Sequence, residues 1–220
     1  MSDKPVTQSA EQTRQALIRA GLKLFGEQGY EGTSTRRLAA AAGANIGSIA
    51  YHFGSKEGLR AACADFIVET MKGMASQALA SAGDPKDPET ARRQLLAALE
   101  RMVAFIVASP EAGTIVQFVL RELSQPTSAL DIVYDGVFEP THRRLCRIWA
   151  AATGEDAESE RTRITVFTMI GQVIYFRVAR AAVLRRMGWN EVGTKEAAAI
   201  AAVAGANLMA VLDSRKEGRP

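Results

Sequence analysis

Apolar positions recur at helical spacing along most of the chain, and punctuating residues cut the pattern into segments. From Ser9 to Gln28, a stripe of Leu17, Gly21, Leu24 and Phe25 predicts a first helix, and the polar residues before about Gln8 read as a mobile tail. From Thr33 to Lys56 the pattern shortens to two small helices joined by a tight turn. A hydroxyl of Thr33, Ser34 or Thr35 can cap the first of these, because it accepts the orphan N–H groups of a first turn. Leu38, Ala39 and Ala42 form its buried face, and Gly43 supplies the backbone that ends it sharply. Asn45 can cap the second, and Ile49 and Phe53, four apart, hold it against the first. A fourth helix follows Ser55, with Leu59, Ala62, Cys63, Phe66, Ile67 and Met71 on its buried side.

Ser81 to Pro88 is a loop, and Asp87 with Pro88 opens the next helix. That helix shows Leu95, Leu99, Met102, Val103 and Ile106, and Ser109-Pro110 stops it. A shorter helix spans about Glu111–Ser124. Pro140 should break or kink the following segment, since it lacks an N–H and crowds the preceding turn. A cationic helix, Thr141–Ala152, ends at Gly154. A long helix over about Glu158–Gly188 carries two apolar stripes: Ile164, Phe167, Gly171, Ile174 and Val178 on one, Val166, Ile170, Val173 and Phe176 on the other. The last helix, Thr194 to about Arg215, is built of Ala, Val and Ile with Gly205, which allows close backbone approach. The fold class is therefore all-α. One stripe serves a helix's own core, so the second needs another partner. The two last helices are expected to form a four-helix interface in a homodimer, about a two-fold axis.

The segment from Thr33 to Lys56 also carries chemistry. Gly47, Ser48, Tyr51 and His52 face outward, and Arg36, Arg37 and Lys56 flank them. That is the construction of a helix-turn-helix, in which small and polar groups enter the major groove while cations grip phosphates. The expected DNA contacts are Thr35, Arg36, Asn45, Gly47, Ser48, Tyr51, His52 and Lys56, and the expected partner is double-stranded DNA. Charge agrees: residues 1–60 hold eight Lys/Arg against five Asp/Glu, whereas residues 61–220 hold nineteen of each. The whole positive balance sits on the expected DNA-binding domain.

These residues resemble the TetR family of bacterial transcriptional regulators. The carrying motifs are Phe25-Gly26-Glu27-Gln28-Gly29-Tyr30, then Thr35-Arg36-Arg37-Leu38-Ala39, Ala42-Gly43, and His52-Phe53-Gly54-Ser55-Lys56-Glu57-Gly58-Leu59. The family often has Tyr where this chain has Ala50, so the resemblance carries no phosphate contact there. Further on, Phe118–Thr127, Pro140-Thr141-His142, Ile148–Gly154 and Arg185–Trp189 resemble the CecR-like subgroup, whose members the resemblance ties to genes of membrane transport and drug sensitivity. The resemblance implies a helix-turn-helix DNA-binding domain over residues 1–60 and a helical ligand-binding and dimerisation domain over 61–220. It also implies a repressor released from its operator by a small-molecule inducer; an activator or a ligand-independent repressor on the same fold is the alternative.

The expected inducer site is walled by Phe66, Met102, Phe105, Phe118, Phe167 and Ile174, with Arg121, His142, Gln172 and Tyr175 as polar points. Such a wall suits an apolar or aromatic compound. An arginine inside it requires an acid or an anionic ligand, because a buried charge is costly unless paired. No cofactor is expected. His142 and Cys146 share a helix face, but two ligands are too few for a metal site. The chain has no nucleophile elbow, P-loop or dinucleotide fingerprint, and only two histidines, which argues against an enzyme. Two cysteines without framework spacing fit a reducing compartment. The N-terminus has no apolar signal region. The apolar runs Ile164–Phe176 and Ala197–Leu212 fall short of the ~20 residues of a membrane span. A cytoplasmic protein without membrane contact is expected.

Overall fold

The computed structural model describes residues 4–79 and 83–217. Among them there is no strand; eleven α-helices follow one another: α1 (Lys4–Gln28), α2 (Thr35–Ala41), α3 (Gly47–Phe53), α4 (Lys56–Leu79), α5 (Pro88–Val103), α6 (Pro110–Ser124), α7 (Ser128–Val133), α8 (Glu139–Thr153), α9 (Glu160–Val178), α10 (Arg180–Met187) and α11 (Thr194–Glu217), with π turns at Ala104–Ala108 and Tyr134–Phe138. The protein is all-α, as its hydrophobic periodicity implies. Ser81 and Ala82 of the expected loop lie outside the described residues.

The helix boundaries follow local chemistry. Helix α1 begins at Lys4 rather than near Ser9, with Pro5 in the first turn, where a missing N–H costs nothing. Of the three candidate caps for α2, Ser34 does the work: its Oγ accepts the Arg37 N–H at 3.3 Å. Gly43 takes a positive φ of 62°, which lets the Ala44 and Gly43 amides close back on the Ala39 and Ala40 carbonyls. Asp87 caps α5, with Oδ1 accepting the Thr90 N–H at 2.8 Å and Oδ2 accepting the Thr90 hydroxyl at 2.7 Å. Those two bonds hold the Asp87 carboxyl below the usual aspartate range.

One expectation holds in part and another is corrected here. The segment around Pro140 stays helical, but not as one regular α-helix. A π turn, Tyr134–Phe138, precedes it, and Pro140 sits in the first turn of α8. The expected continuous helix Glu158–Gly188 is two helices, α9 and α10, bent by 76° at Ala179. No Gly or Pro marks that bend. It turns Leu184 and Trp189 back against the core that α9 already packs on.

The chain divides into two compact units. One comprises Met1–Ala75 with Gly113–Phe138; the other comprises Ser76–Ala112 with Glu139–Pro220. The core of the first unit is made by Leu17, Ile18 and Phe25 of α1, Leu38 of α2, Ile49 of α3, Leu59, Cys63 and Ile67 of α4, and Phe118 of α6. The second unit gathers Leu95, Leu99 and Val103 of α5, Ile148 and Trp149 of α8, Val166 and Val173 of α9, and Ile200, Leu208 and Leu212 of α11. This unit separates the two stripes of α9. Val166 and Val173 point inward with Ile170 and Phe176 packed beside them, whereas Ile164, Phe167 and Val178 are exposed.

Helix α11 needs a further correction. Thr194–Arg215 has 22 residues, and its most apolar stretch of 18 has a mean hydropathy of 1.6, long and apolar enough to cross a membrane. Its Ala197, Ile200, Ala204, Leu208 and Leu212 nevertheless face the unit's own core at helical spacing. Gly205 also faces inward: an added Cβ would lie 2.9 Å from Leu96 Cδ1. The close approach it permits is to α5 of the same chain.

Candidate nucleic-acid interface

Helices α2 and α3 present the expected helix-turn-helix. Asn45 Oδ1 accepts the Gly47 N–H at 2.9 Å, and its backbone carbonyl accepts the Ser48 N–H at 2.9 Å, so Asn45 starts the second helix as expected. Ile49 is buried beneath it. Gly47 lies in open space: an added Cβ would meet only Asn45 Oδ1, at 3.4 Å. Tyr51 is 81% exposed and its ring stands edge-on to His52, with centroids 4.8 Å apart. Thr35 and Ser48 are half-buried, and Arg36 and Arg37 are exposed at the start of α2. One exposed residue escaped the sequence pattern. Ile46, immediately before α3, is 52% exposed. Its spacing to Ile49 and Phe53 would put it on the buried face.

Lys56 is turned inward. Its Nζ donates to the carbonyl oxygens of Tyr30 at 2.9 Å and Thr33 at 3.1 Å, and it sits 3.8 Å from the centre of the Tyr30 ring. Arg60 takes the same ring, with its guanidinium carbon 4.8 Å from the centroid. Two donors of Lys56 therefore hold the turn that leads into α2, and one is left for any phosphate. Thr33 closes this turn from within, its hydroxyl 2.7 Å from the Gly29 carbonyl oxygen and 3.1 Å from that of Leu24.

The expected ligand residues fall in both units and are described within each. In the first, Phe66 is half-buried and Phe118 fully buried. Arg121 does not await an acid: its Nη2 donates to the Glu27 carbonyl at 3.1 Å. Two shallow recesses of this unit, of about 330 and 230 Å3, include none of the expected ligand residues. In the second unit, Met102 packs against the core, and Phe105 and Ile174 are half-buried. The His142 ring stacks on Phe167 at 3.9 Å, and its Nε2 donates to the Arg163 carbonyl at 3.2 Å. Gln172 donates to Met169 Sδ at 3.4 Å and accepts from Asn207 at 3.4 Å, tying α9 to α11. Phe167 and Tyr175 are each 61% exposed, on the outward stripe of α9 rather than in an enclosed wall.

Comparison with known proteins decides the family. The family model for bacterial regulatory proteins of the tetR family matches residues 17–63, and the model for the C-terminal domain of the HTH-type transcriptional dual regulator CecR matches residues 91–214. The CecR regulator of Shigella flexneri is 36% identical over 194 residues, which is 86% of each chain. The chain is a TetR-family regulator. TetR-type solved structures share its fold. A TetR-like transcriptional regulator from Rhodococcus sp. RHA1 superposes with a TM-score of 0.61 at 20% identity, covering 90% of this chain and 96% of that one. AibR in complex with isovaleryl coenzyme A and operator DNA superposes with a TM-score of 0.64 at 15% identity, covering 88% and 96%. As a TetR-family member the protein is a DNA-binding regulator of transcription and not an enzyme. The N-terminal match spans the helix-turn-helix that the residues themselves describe.

Proposed function

We propose that the protein is a homodimeric repressor released from a palindromic operator by a small apolar or aromatic inducer. The observation that carries DNA reading is the outward face of α3, with an unobstructed Gly47 and a protruding Tyr51, while Arg36 and Arg37 of α2 are exposed as well. The expected contacts remain Thr35, Arg36, Asn45, Gly47, Ser48, Tyr51 and His52, with Lys56 contributing its third N–H. The dimer is supported by the exposed stripe of Ile164, Phe167, Tyr175 and Val178 on α9, together with Val203 on α11, which is 64% exposed. An exposed apolar stripe calls for a covering surface, and a second copy of the same stripe supplies one under two-fold symmetry.

Two recognition helices in such a dimer occupy successive major grooves when they stand about 34–36 Å apart. An inducer that prefers another spacing draws the population off DNA in proportion to its differential affinity. The AibR structure, which holds both an acyl coenzyme A and operator DNA, supports a ligand-responsive reading of this fold. Within the second unit, Met102, Phe105, His142, Gln172 and Ile174 are the residues this reading gives to the inducer. A second reading has its own support: the CecR relative is named a dual regulator, so activation from the same operator stands beside repression.

Selection of bound duplexes from random DNA tests the proposal. The expected result is a palindrome with half-site centres one helical turn apart. Gly47→Glu should keep the helical circular dichroism signal and lose specific binding, because a carboxylate would meet the groove floor. Normal operator binding by that variant would overturn the placement of α3.

A further inference from the structure

Helix α3 offers the DNA more than hydrogen-bonding groups. Two isoleucines three positions apart have opposite fates: Ile49 is 2% exposed and Ile46 is 52% exposed. The backbone of Ile46 is already helical, with φ −58° and ψ −33°, so its side chain stands one turn before Ala50 on the helix surface. Ala50 is exposed as well, and it is too short to cover its neighbour. Next to this apolar row runs Gly47 followed one turn later by Tyr51. Asn45, the polar residue before Ile46, has its Oδ1 held by the Gly47 amide. The leading edge of the helix is therefore an aliphatic side chain with no polar atom and no larger residue beside it one turn on.

The major groove has one apolar feature, the C5-methyl group of thymine. Residues at the start of a recognition helix are the ones that reach base edges. We propose that Ile46 reads a thymine methyl in each half-site, with Ala50 leaving the room for it, and so fixes a T·A pair at that position. The inference rests on α3 being the DNA-reading helix, and it adds a specificity determinant to that reading. Asn45, Ser48 and His52 supply the polar contacts, and Ile46 supplies discrimination by shape and dehydration.

The experiment replaces each thymine of the selected operator by deoxyuridine, which removes only the methyl group, and measures affinity for wild type and Ile46→Ala. Because Ile46 is on the surface, its truncation should leave the fold and the salt dependence unchanged. Wild type should lose about fourfold in affinity at one thymine per half-site, the effect of exposing one methyl-sized apolar group. Ile46→Ala should lose a similar factor on the thymine operator and nothing further on the deoxyuridine operator. Uniform tolerance of deoxyuridine by wild type, with palindrome selection intact, would overturn this inference alone. Persistence of the deoxyuridine effect in Ile46→Ala would also overturn it and move the methyl contact to Ala50 or Tyr51. Failure to select any sequence would overturn both this inference and the DNA-reading role of α3.

Discussion

Arg60 Nε donates to Glu122 Oε1 at 2.8 Å across 62 positions of sequence, and both side chains are buried. A second guanidinium nitrogen, Nη2, reaches the same oxygen, while the Thr127 hydroxyl donates to Glu122 Oε2 at 2.6 Å. Both oxygens of the carboxylate are thus satisfied inside the first unit, and Tyr30 lies against the guanidinium. Removing one partner strands the other charge, so Arg60→Met or Glu122→Leu alone should lower stability by about 3–5 kcal/mol. The double variant should recover most of that loss. Urea unfolding of the three variants checks this, and additive losses would show that the pair is not coupled.

The outward stripe of α9 and α11 gives a second expectation. Phe167→Glu with Val203→Glu should leave the fold intact and produce monomers in sedimentation at micromolar concentration. Operator affinity should fall by roughly 10²-fold or more, because each half-site alone provides only part of the contacts. Val173→Glu should instead unfold the second unit, since that side chain is 0% exposed. A wild-type monomer would remove the interface.

Cations around α2 and α3 should separate into two kinds. Arg36→Ala and Arg37→Ala should each reduce the salt slope of DNA binding by about one unit with unchanged stability. Lys56→Met should cost about 1–3 kcal/mol of stability, because its ammonium bonds the Tyr30 and Thr33 carbonyls. Thermal melts read beside salt titrations distinguish the two. A Lys56 variant of native stability would show that those bonds contribute nothing.

A fourth expectation concerns the contact of α1 with α4. An added Cβ at Gly21 would lie 2.7 Å from Cys63 Sγ, so Gly21→Ala should destabilise by about 1–3 kcal/mol through overpacking. Combining it with Cys63→Ala should relieve the clash. Burial, opposed in part by the Arg60 charge, pushes the Cys63 thiol well above its ordinary range. Iodoacetamide at neutral pH should therefore label Cys63 only when the protein unfolds. Rapid labelling of the native protein would show that the α1–α4 contact opens readily.

What the chain's sequence determined by itself is local. Ser34, Gly43, Asn45 and Asp87 act within one turn of their own positions, so the helix ends they make, and the helix-turn-helix with its family resemblance, were legible in advance. Periodicity also separated the two stripes of α9, because side-chain direction in a helix follows from residue spacing. Tertiary structure decided the rest. It gave Glu122 to Arg60 and left Arg121 on the Glu27 carbonyl, a choice between neighbouring residues that no spacing encodes. It turned Lys56 onto a backbone turn 23 to 26 positions away. It bent the chain at Ala179 so that Leu184 and Trp189 reached the core, and it set Gly205 against Leu96. It also left Ile46 outside, although its spacing matches the buried face. A residue at a helix start has no preceding turn to enclose it, and only the positions of the neighbouring helices settle whether anything else does.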